Sequence, residues 1–171
     1  MSVVSNTSPI IFLSKVPEIL NLAKNFYKEI LIPEEVFEEA VDKALQNPST
    51  KENSFKIQEL IEEKFIRIKK LDVKYIKIRD SINQKLGIGE SSAICLALQL
   101  NIKLILIDEK PATSIARQFG LKPQPISLLP IKAYKKKLID RKEAIKLLDG
   151  LLINKYHSSS IDYKKIISML E

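Results

Sequence analysis

Four polar residues stand where their side chains could do chemistry with a divalent cation. Asn6 and Asp108 each follow an apolar run that predicts a buried strand, whereas Glu39 and Glu90 lie on predicted helices. Carboxylates that converge on one crevice repel each other, and a bound cation relieves that repulsion. Oxygen ligands favour Mg²⁺ or Mn²⁺, which can activate water and stabilise phosphoryl oxygens. The set therefore indicates metal-assisted phosphoryl chemistry.

Each of these residues also has an ordinary structural explanation. Asp108 could cap a helix, and the helix dipole favours an acid such as Glu90 in a first helical turn. The functional interpretation therefore depends on whether the fold brings the four side chains together.

The order of predicted elements alternates between strand and helix. The predicted strands are Val3–Asn6, Glu29–Ile32, Phe65–Ile68 at an edge, Lys103–Ile107 and Gln124–Ile126. The predicted helices are Pro9–Ser14, Pro17–Asn25, Pro33–Leu45, Phe55–Glu63, Val73–Leu86, Glu90–Leu100, a segment ending at Phe119, Ser127–Lys137, Arg141–Lys155 and Ile161–Leu170. This order predicts an α/β fold, a parallel-stranded sheet flanked by helices in three layers. Ligands of such sheets lie beyond the carboxyl ends of the strands, which is where Asn6 and Asp108 are expected.

The start of the first helix carries its own signal. Asn6-Thr7-Ser8-Pro9 predicts a hydroxyl N-cap followed by Pro9 as the first helical residue.

Length and composition exclude several classes of protein. The 171 residues predict one domain, with a core over about 1–130 and extra helices over about 131–171. A single cysteine, Cys95, and a single histidine, His157, exclude a disulfide framework, a cysteine zinc cluster and a site of two imidazoles. No apolar run approaches the ~20 residues that span a bilayer, and no basic segment precedes the first apolar run. We therefore expect a soluble, cytoplasmic protein without a membrane segment.

The charge balance favours a polyanionic partner. The formal charge is +7, which attracts nucleic acid but also serves solubility. The densest basic run is Lys132, Lys135, Lys136, Lys137, Arg141 and Lys142. It is either a solvated helix end or a surface that contacts RNA phosphates. Lys110 and Arg117 flank the predicted site and could contact a substrate.

Four segments resemble one family in the same order. They are Val-Val-Ser-Asn-Thr-Ser-Pro-Ile-Ile at 3–11, Ile-Pro-Glu-Glu-Val-Phe-Glu-Glu-Ala at 32–40, Leu-Gly-Ile-Gly-Glu-Ser-Ser-Ala-Ile at 86–94, and Leu-Ile-Leu-Ile-Asp-Glu-Lys-Pro-Ala at 104–112. Together they resemble PIN-domain proteins, in particular a prokaryotic branch with an Asn-x-Ser-Pro start and a Leu-Gly-x-Gly-Glu motif that is related to VapC-like toxins. The resemblance covers about residues 1–130.

The resemblance implies a ribonuclease that depends on Mg²⁺ or Mn²⁺ and hydrolyses RNA phosphodiesters. The family's four acidic positions fall on Asn6, Glu39, Glu90 and Asp108, with Glu109 as an auxiliary acid and Ser8 as the hydroxyl that hydrogen-bonds to a metal-binding carboxylate. The resemblance further implies the toxin of a toxin–antitoxin pair, with an antitoxin protein as partner, and a homodimer.

Asn6 departs from the family pattern, which generally has Asp at this position. An amide oxygen can bind a hard cation but brings no charge, so metal affinity is expected to fall. Two interpretations therefore remain: a working nuclease, or a catalytically impaired module that binds nucleic acid or a protein. A receiver-like or phosphatase-like switch would also place acids at strand ends, but the supporting Lys or Thr pattern of such proteins is incomplete here.

The C-terminal third is unusually apolar. Its apolar residues include Leu147, Leu148, Leu151, Leu152, Ile153, Ile166, Ile167, Met169 and Leu170. They either complete the core or form the face of a homodimer.

Overall fold

The computed structural model describes residues 1–46, 51–156 and 163–171. Within them, five parallel strands form one sheet in the order β3-β2-β1-β4-β5. The strands are β1 Ser2–Ser5, β2 Glu29–Pro33, β3 Ile66–Lys69, β4 Leu104–Leu106 and β5 Lys122–Gln124. The sheet is flanked by helices, so the predicted three-layer α/β fold is confirmed.

Helices connect the strands and continue after the last one. They are α1 Thr7–Lys15, α2 Pro17–Phe26, α3 Glu34–Phe37, a π-helical segment Glu38–Asp42, α4 Lys43–Leu45, α5 Lys51–Glu62, α6 Val73–Asn83, α7 Ile88–Gln99, α8 Lys110–Gln118, α9 Leu128–Lys135, α10 Arg141–Ile153 and α11 Tyr163–Ser168. The first residues of the predicted last helix and His157 lie outside the described residues. No helix in the described part of the chain is long and apolar enough to cross a membrane.

Alternating side chains of the strands build a core on each face of the sheet. Val3 and Ile30 belong to the core beneath α1, α2, α5, α9 and α10. Val4 and Ile105 belong to the core beneath α6, α7 and α8. Because successive strand residues point to opposite faces, a sheet covered on both sides needs apolar residues at consecutive positions. The nearly continuous apolar runs of the sequence meet that need.

The strand order creates a crevice at the carboxyl edge of the sheet. The chain passes from β1 through β2 to β3 on one side of β1, then places β4 on its other side. The ends of β1 and β4 thus lie at the point where the strand order reverses, which is where open α/β sheets bind ligands. Asn6 directly follows β1, and its backbone N–H donates to the Leu106 carbonyl at 3.2 Å.

Two predicted helix details are wrong. Helix α1 begins at Thr7 with Asn6 as its N-cap residue, so Pro9 is the third helical residue rather than the first. Proline is tolerated there because the first-turn N–H groups have no helical partner. The predicted continuous helix Pro33–Leu45 is interrupted by the π-helical segment, which carries Glu39. Such widened turns occur frequently at functional sites, and hydrophobic periodicity does not reveal them.

The C-terminal helices mostly complete the core. Leu147 and Leu151 of α10 join the core next to α1, while Leu148 and Ile166 belong to a smaller cluster between α10, α11 and α9. Ile153, at the end of α10, is 81% exposed.

Candidate active site

A pocket of about 380 Å³ opens at the carboxyl edge of the sheet. Its walls come from the start of α1, the π-helical segment, the start of α7 and the end of β4. The lining residues are Asn6, Thr7, Ser8, Ile11, Phe12, Glu39, Gly87, Ile88, Gly89, Glu90 and Glu109. Three of the predicted acids therefore share one pocket with Asn6.

Asn6 and Glu109 lie just beyond the ends of the neighbouring strands β1 and β4. Asn6 is 2% exposed, and its Nδ2 lies 3.4 Å from Glu109 Oε2, to which it donates a long hydrogen bond. The Asn6 Oδ1 is buried and accepts no hydrogen bond within the described structure. A buried amide oxygen without a donor is uncommon, because its desolvation is then uncompensated. Such an oxygen is a candidate ligand for a cation.

Glu90 enters the pocket from the first turn of α7. Its carboxylate accepts a hydrogen bond from the Gly87 N–H at 3.1 Å, which caps the helix and orients the side chain. Burial raises the pKa of Glu90, the Gly87 N–H opposes that rise, and the nearby Glu109 carboxylate adds to it. Glu90 and Glu109 line the same pocket, so each carboxylate disfavours the charge on the other.

Glu39 reaches the pocket from the π-helical segment. Its Oε2 accepts a hydrogen bond of 2.6 Å from the Thr7 hydroxyl. Gly89 makes this position possible, because a Cβ at Gly89 would lie 2.6 Å from Glu39 Oε2 and 3.1 Å from Thr7 Oγ1. The second glycine of the Leu-Gly-Ile-Gly-Glu motif therefore leaves space for an acid from a different helix.

Asp108 lies outside the pocket lining. Its side chain is fully buried on the other side of the strand end, where it accepts a hydrogen bond from the Ile126 N–H at 3.1 Å and another from the Tyr156 hydroxyl. Burial raises the pKa of Asp108 to about 7, against the effects of these two hydrogen bonds. Glu109, expected only as an auxiliary acid, is the residue after β4 that lines the pocket.

Three residues outside the predicted set also shape this region. Thr7, rather than Ser8, makes the observed contact with an acid, although Ser8 also lines the pocket. Phe12 forms an apolar wall, and its ring packs against the ring of Tyr156 in a T-shaped arrangement, with centroids 4.9 Å apart and planes at 88°. Thr7 and Ser8 both lie within the Asn-Thr-Ser-Pro motif, and the predicted role of Ser8 stays a prediction. Nothing in the sequence signals the contact of Tyr156.

The predicted basic contacts lie elsewhere on the surface. Lys110 and Arg117 are exposed on α8, and Lys135, Lys136 and Lys137 are exposed at the end of α9. None of these five side chains lines the pocket. Their predicted contact with substrate stays a prediction.

The donor atoms fit a hard divalent cation in type. Glu90, Glu109 and the Asn6 amide supply only oxygen, and the orphaned Asn6 Oδ1 gains a partner if a cation binds. Across residues 1–46, 51–156 and 163–171, no group of three or more His, Cys, Asp or Glu side chains is gathered tightly enough to hold a metal ion. A site made of two carboxylates and one amide oxygen agrees with the oxygen-only donor set and with the absence of a group of three acids in the described residues.

The chain as a whole matches a family model described as a PIN domain, over residues 2–171. No curated protein matches the sequence. PIN domains are typically nucleases that act on nucleic acid and generally use divalent metal ions. The family model spans the sheet, the acidic pocket and the C-terminal helices. This chain therefore belongs to the PIN-domain family.

Proposed function

We propose that this protein is a ribonuclease that uses Mg²⁺ or Mn²⁺ to hydrolyse RNA phosphodiesters in the acidic pocket. The observation that carries the proposal is the convergence of Glu90, Glu109 and Asn6 at the switch point of the sheet. Burial, with smaller effects of Glu109 and Glu39, raises the pKa of Glu90, and a bound cation would compensate the carboxylate for both. The excess positive charge of the chain supports a polyanionic substrate.

Each residue of the pocket has a role in this proposal. Glu90 and Glu109 are the charged ligands of the cation, and Asn6 contributes its buried Oδ1. Glu39, oriented by Thr7, lies across the pocket, where it can accept a proton or hold a water molecule. Asp108 remains a member of the site in the predicted quartet, but its contacts support a positioning role behind Glu109.

When bound, the cation lowers the pKa of a coordinated water and stabilises charge on the phosphoryl oxygens. The protein's part is to fix the geometry. The Gly87 N–H holds the Glu90 carboxylate, and helix α7 begins at the next residue, so the carboxylate is fixed to a rigid element. The apolar side chains of Ile11, Phe12 and Ile88 border the carboxylates and restrict water on that side.

The test is cleavage of a generic fluorogenic RNA by the purified protein with Mn²⁺ or Mg²⁺. Cleavage is expected, with loss on addition of EDTA and in Glu90→Gln. Glu62→Gln, which changes an exposed acid of α5, is the matched control and should cleave normally. Cleavage that persists in EDTA or in Glu90→Gln would contradict the proposed site.

The second candidate function is a catalytically impaired module that binds nucleic acid or a protein. Asn6 favours it, because the pocket has one negative charge fewer than with Asp at that position. A folded wild type that binds RNA and Mn²⁺ without cleavage would support this function. Asn6→Asp is then expected to strengthen Mn²⁺ binding, as measured by calorimetry.

The finer expectations from the sequence are part of the same proposal. A toxin role predicts that induced expression arrests growth of a bacterial host and that Glu90→Gln relieves the arrest. An antitoxin partner and a cytoplasmic location belong to that role. A homodimer predicts twice the chain mass in sedimentation at micromolar concentration, and a monomer there would contradict it.

A further inference from the structure

Helix α1 lines both the acidic pocket and a second, larger groove. Ile11 and Phe12 line the acidic pocket, whereas Ser14 and Lys15, at the end of the same helix, line a groove of about 710 Å³. The opposite wall of this groove comes from the start of α5, which packs against α1, and from the end of α10. These two pairs of α1 residues are therefore only two to four positions apart in the sequence, about one helical turn.

The acidic pocket and the groove each contain an aromatic ring with a lysine beside it. Phe12 is partly exposed, and the Lys15 Nζ lies 5.2 Å from its ring centroid. Phe55 in the groove is 48% exposed, and the Lys51 Nζ lies 5.6 Å from its centroid. Accessible rings next to cations are the surfaces on which proteins stack the bases of single-stranded nucleic acid.

The ring of Phe12 is held in place by a second aromatic ring. Phe12 and Tyr156 form a T-shaped pair, and the Tyr156 hydroxyl donates to the buried Asp108 carboxylate. A ring fixed in this way loses little conformational freedom when a base stacks on it. This arrangement gives Asp108 and Tyr156 a role next to the pocket that does not involve a cation.

The groove also has cations that form no ion pair with a carboxylate of the described residues. Lys56 is paired with Glu59 at 2.5 Å. Lys15 and Lys155 are exposed and form no ion pair with the described residues. Glu52 also lines the groove, so the wall is mixed in charge rather than uniformly basic. Isolated cations next to exposed rings fit a strand with spaced phosphates better than they fit a compact anion.

We propose that a single strand of RNA runs from the acidic pocket along α1 into this groove. One base stacks on Phe12 and a later base stacks on Phe55, while backbone phosphates lie beside Lys15 and Lys155. The inference rests on the proposed function, since the acidic pocket supplies the point of cleavage. It adds the path of the substrate across these two rings, which only an unpaired strand can follow, because bases in a duplex are not free to stack on protein rings.

The test measures binding of labelled oligouridylates by fluorescence anisotropy in EDTA, so that no cleavage occurs. Phe12→Ala is expected to weaken binding of both a trimer and a 12-mer by about tenfold. Phe55→Ala is expected to weaken only the 12-mer, because the trimer does not reach the groove. Phe119→Ala is the matched control, since Phe119 is 40% exposed at the end of α8.

Two further arms separate stacking from loss of structure. Phe12→Leu keeps an apolar side chain against Tyr156 but has no ring, so it should fold normally and bind as weakly as Phe12→Ala. A 12-mer of abasic ribose phosphate should bind equally to wild type and Phe12→Ala. Thermal unfolding of every variant checks the fold.

The lysines are tested by the dependence of binding on salt. Lys15→Gln and Lys155→Gln should each lower the slope of log K against log salt by about 0.7, the value for one phosphate contact on a single strand. Lys28→Gln, an exposed lysine before β2 at the opposite edge of the sheet, should leave the slope unchanged.

The outcomes distinguish this inference from the proposed function. Unchanged 12-mer binding in Phe12→Ala and Phe55→Ala would overturn the proposed path, even if the wild type cleaves RNA. The expected binding losses, together with no cleavage in Mn²⁺, would overturn the nuclease and keep the path. If Phe12→Ala loses affinity for abasic RNA and for normal RNA by the same factor, stacking on Phe12 would be overturned.

Discussion

Asp108 and Glu109 follow the same strand, but their side chains end in opposite surroundings. Asp108 is fully buried against Tyr156 and the Ile126 N–H, whereas Glu109 lines an open pocket with Asn6. The cause is the alternation of β4, which continues past its last residue. Ile105 faces the α7 core and Leu106 faces the α1 core. If this alternation continues, Asp108 points to the same face as Leu106, and Glu109 points to the opposite face.

The comparison shows that adjacent acids at a strand end need not share a role. One carboxylate joins the structure that supports the site, and the next is available to a ligand. Glu109 approaches Glu90, which lies on the α7 side, whereas Asp108 anchors the end of α10 through Tyr156. Substitution of Glu109 should therefore lower the cleavage rate, whereas substitution of Asp108 should lower the free energy of unfolding.

Glu109→Gln tests the pocket half of this comparison and has the largest expected effect. It removes one of two converging charges from the cation site, so the cleavage rate should fall roughly 100-fold to 1000-fold. The free energy of unfolding should stay within about 0.5 kcal/mol of wild type, because the side chain is partly exposed. Steady-state cleavage kinetics and urea denaturation measure the two quantities. A variant that cleaves normally would remove Glu109 from the site.

Asp108→Ala tests the structural role of the buried carboxylate. It leaves the Tyr156 hydroxyl and the Ile126 N–H without their carboxylate acceptor, so the free energy of unfolding should fall by about 2–3 kcal/mol. Mn²⁺ affinity, measured by calorimetry on the folded variant, should change less than about threefold. Loss of Mn²⁺ binding with unchanged stability would reverse the roles assigned to the two acids.

The pH dependence of stability sharpens the same contrast. The folded-state pKa of Asp108 is about 7, above an unfolded value of roughly 3.9. Between these values the native state holds a proton that the unfolded chain has released, so this group's contribution to stability is full below about pH 4 and is lost as pH rises to about 7. Asp108→Asn should therefore make metal-free stability less dependent on pH in this window, by about 1 kcal/mol per unit. Urea denaturation of both proteins at several pH values measures the slopes, and equal slopes would contradict the buried assignment.

Gly89→Ala has the smallest expected effect and concerns the third acid. The added Cβ would meet Glu39 Oε2 at 2.6 Å, so the carboxylate must move away from Thr7. Cleavage should fall about threefold to tenfold, while the helical alanine keeps stability equal or raises it by up to about 1 kcal/mol. Thr7→Val removes the same hydrogen bond without a clash and should show a similar loss of rate. A normal rate in both variants would exclude a role for the Glu39–Thr7 contact.

Much of the fold could be predicted from the sequence because its signals are local. Apolar runs such as Lys103–Ile107 indicate buried strands, and the alternation with helices indicates a parallel sheet. The family was also indicated, because its motifs are short and lie in order. The π-helical turn at Glu38–Asp42 was not predicted, since its distinguishing feature is one widened hydrogen-bonded turn rather than a residue pattern.

The sequence by itself determined the approximate positions of the strands, their parallel direction and a set of acids expected at one edge of the sheet. The last strand is Lys122–Gln124 rather than the predicted Gln124–Ile126, and the order of the strands followed only from the structure. Only the tertiary structure decided which acids meet. Glu109 rather than Asp108 lines the pocket because of strand alternation, and Tyr156 reaches Asp108 from 48 residues away. The close approach of Glu39 to Gly89 and the position of α1 between the pocket and the groove likewise depend on helix packing. Contacts between residues distant in the chain are set by packing, which no local pattern of side chains encodes.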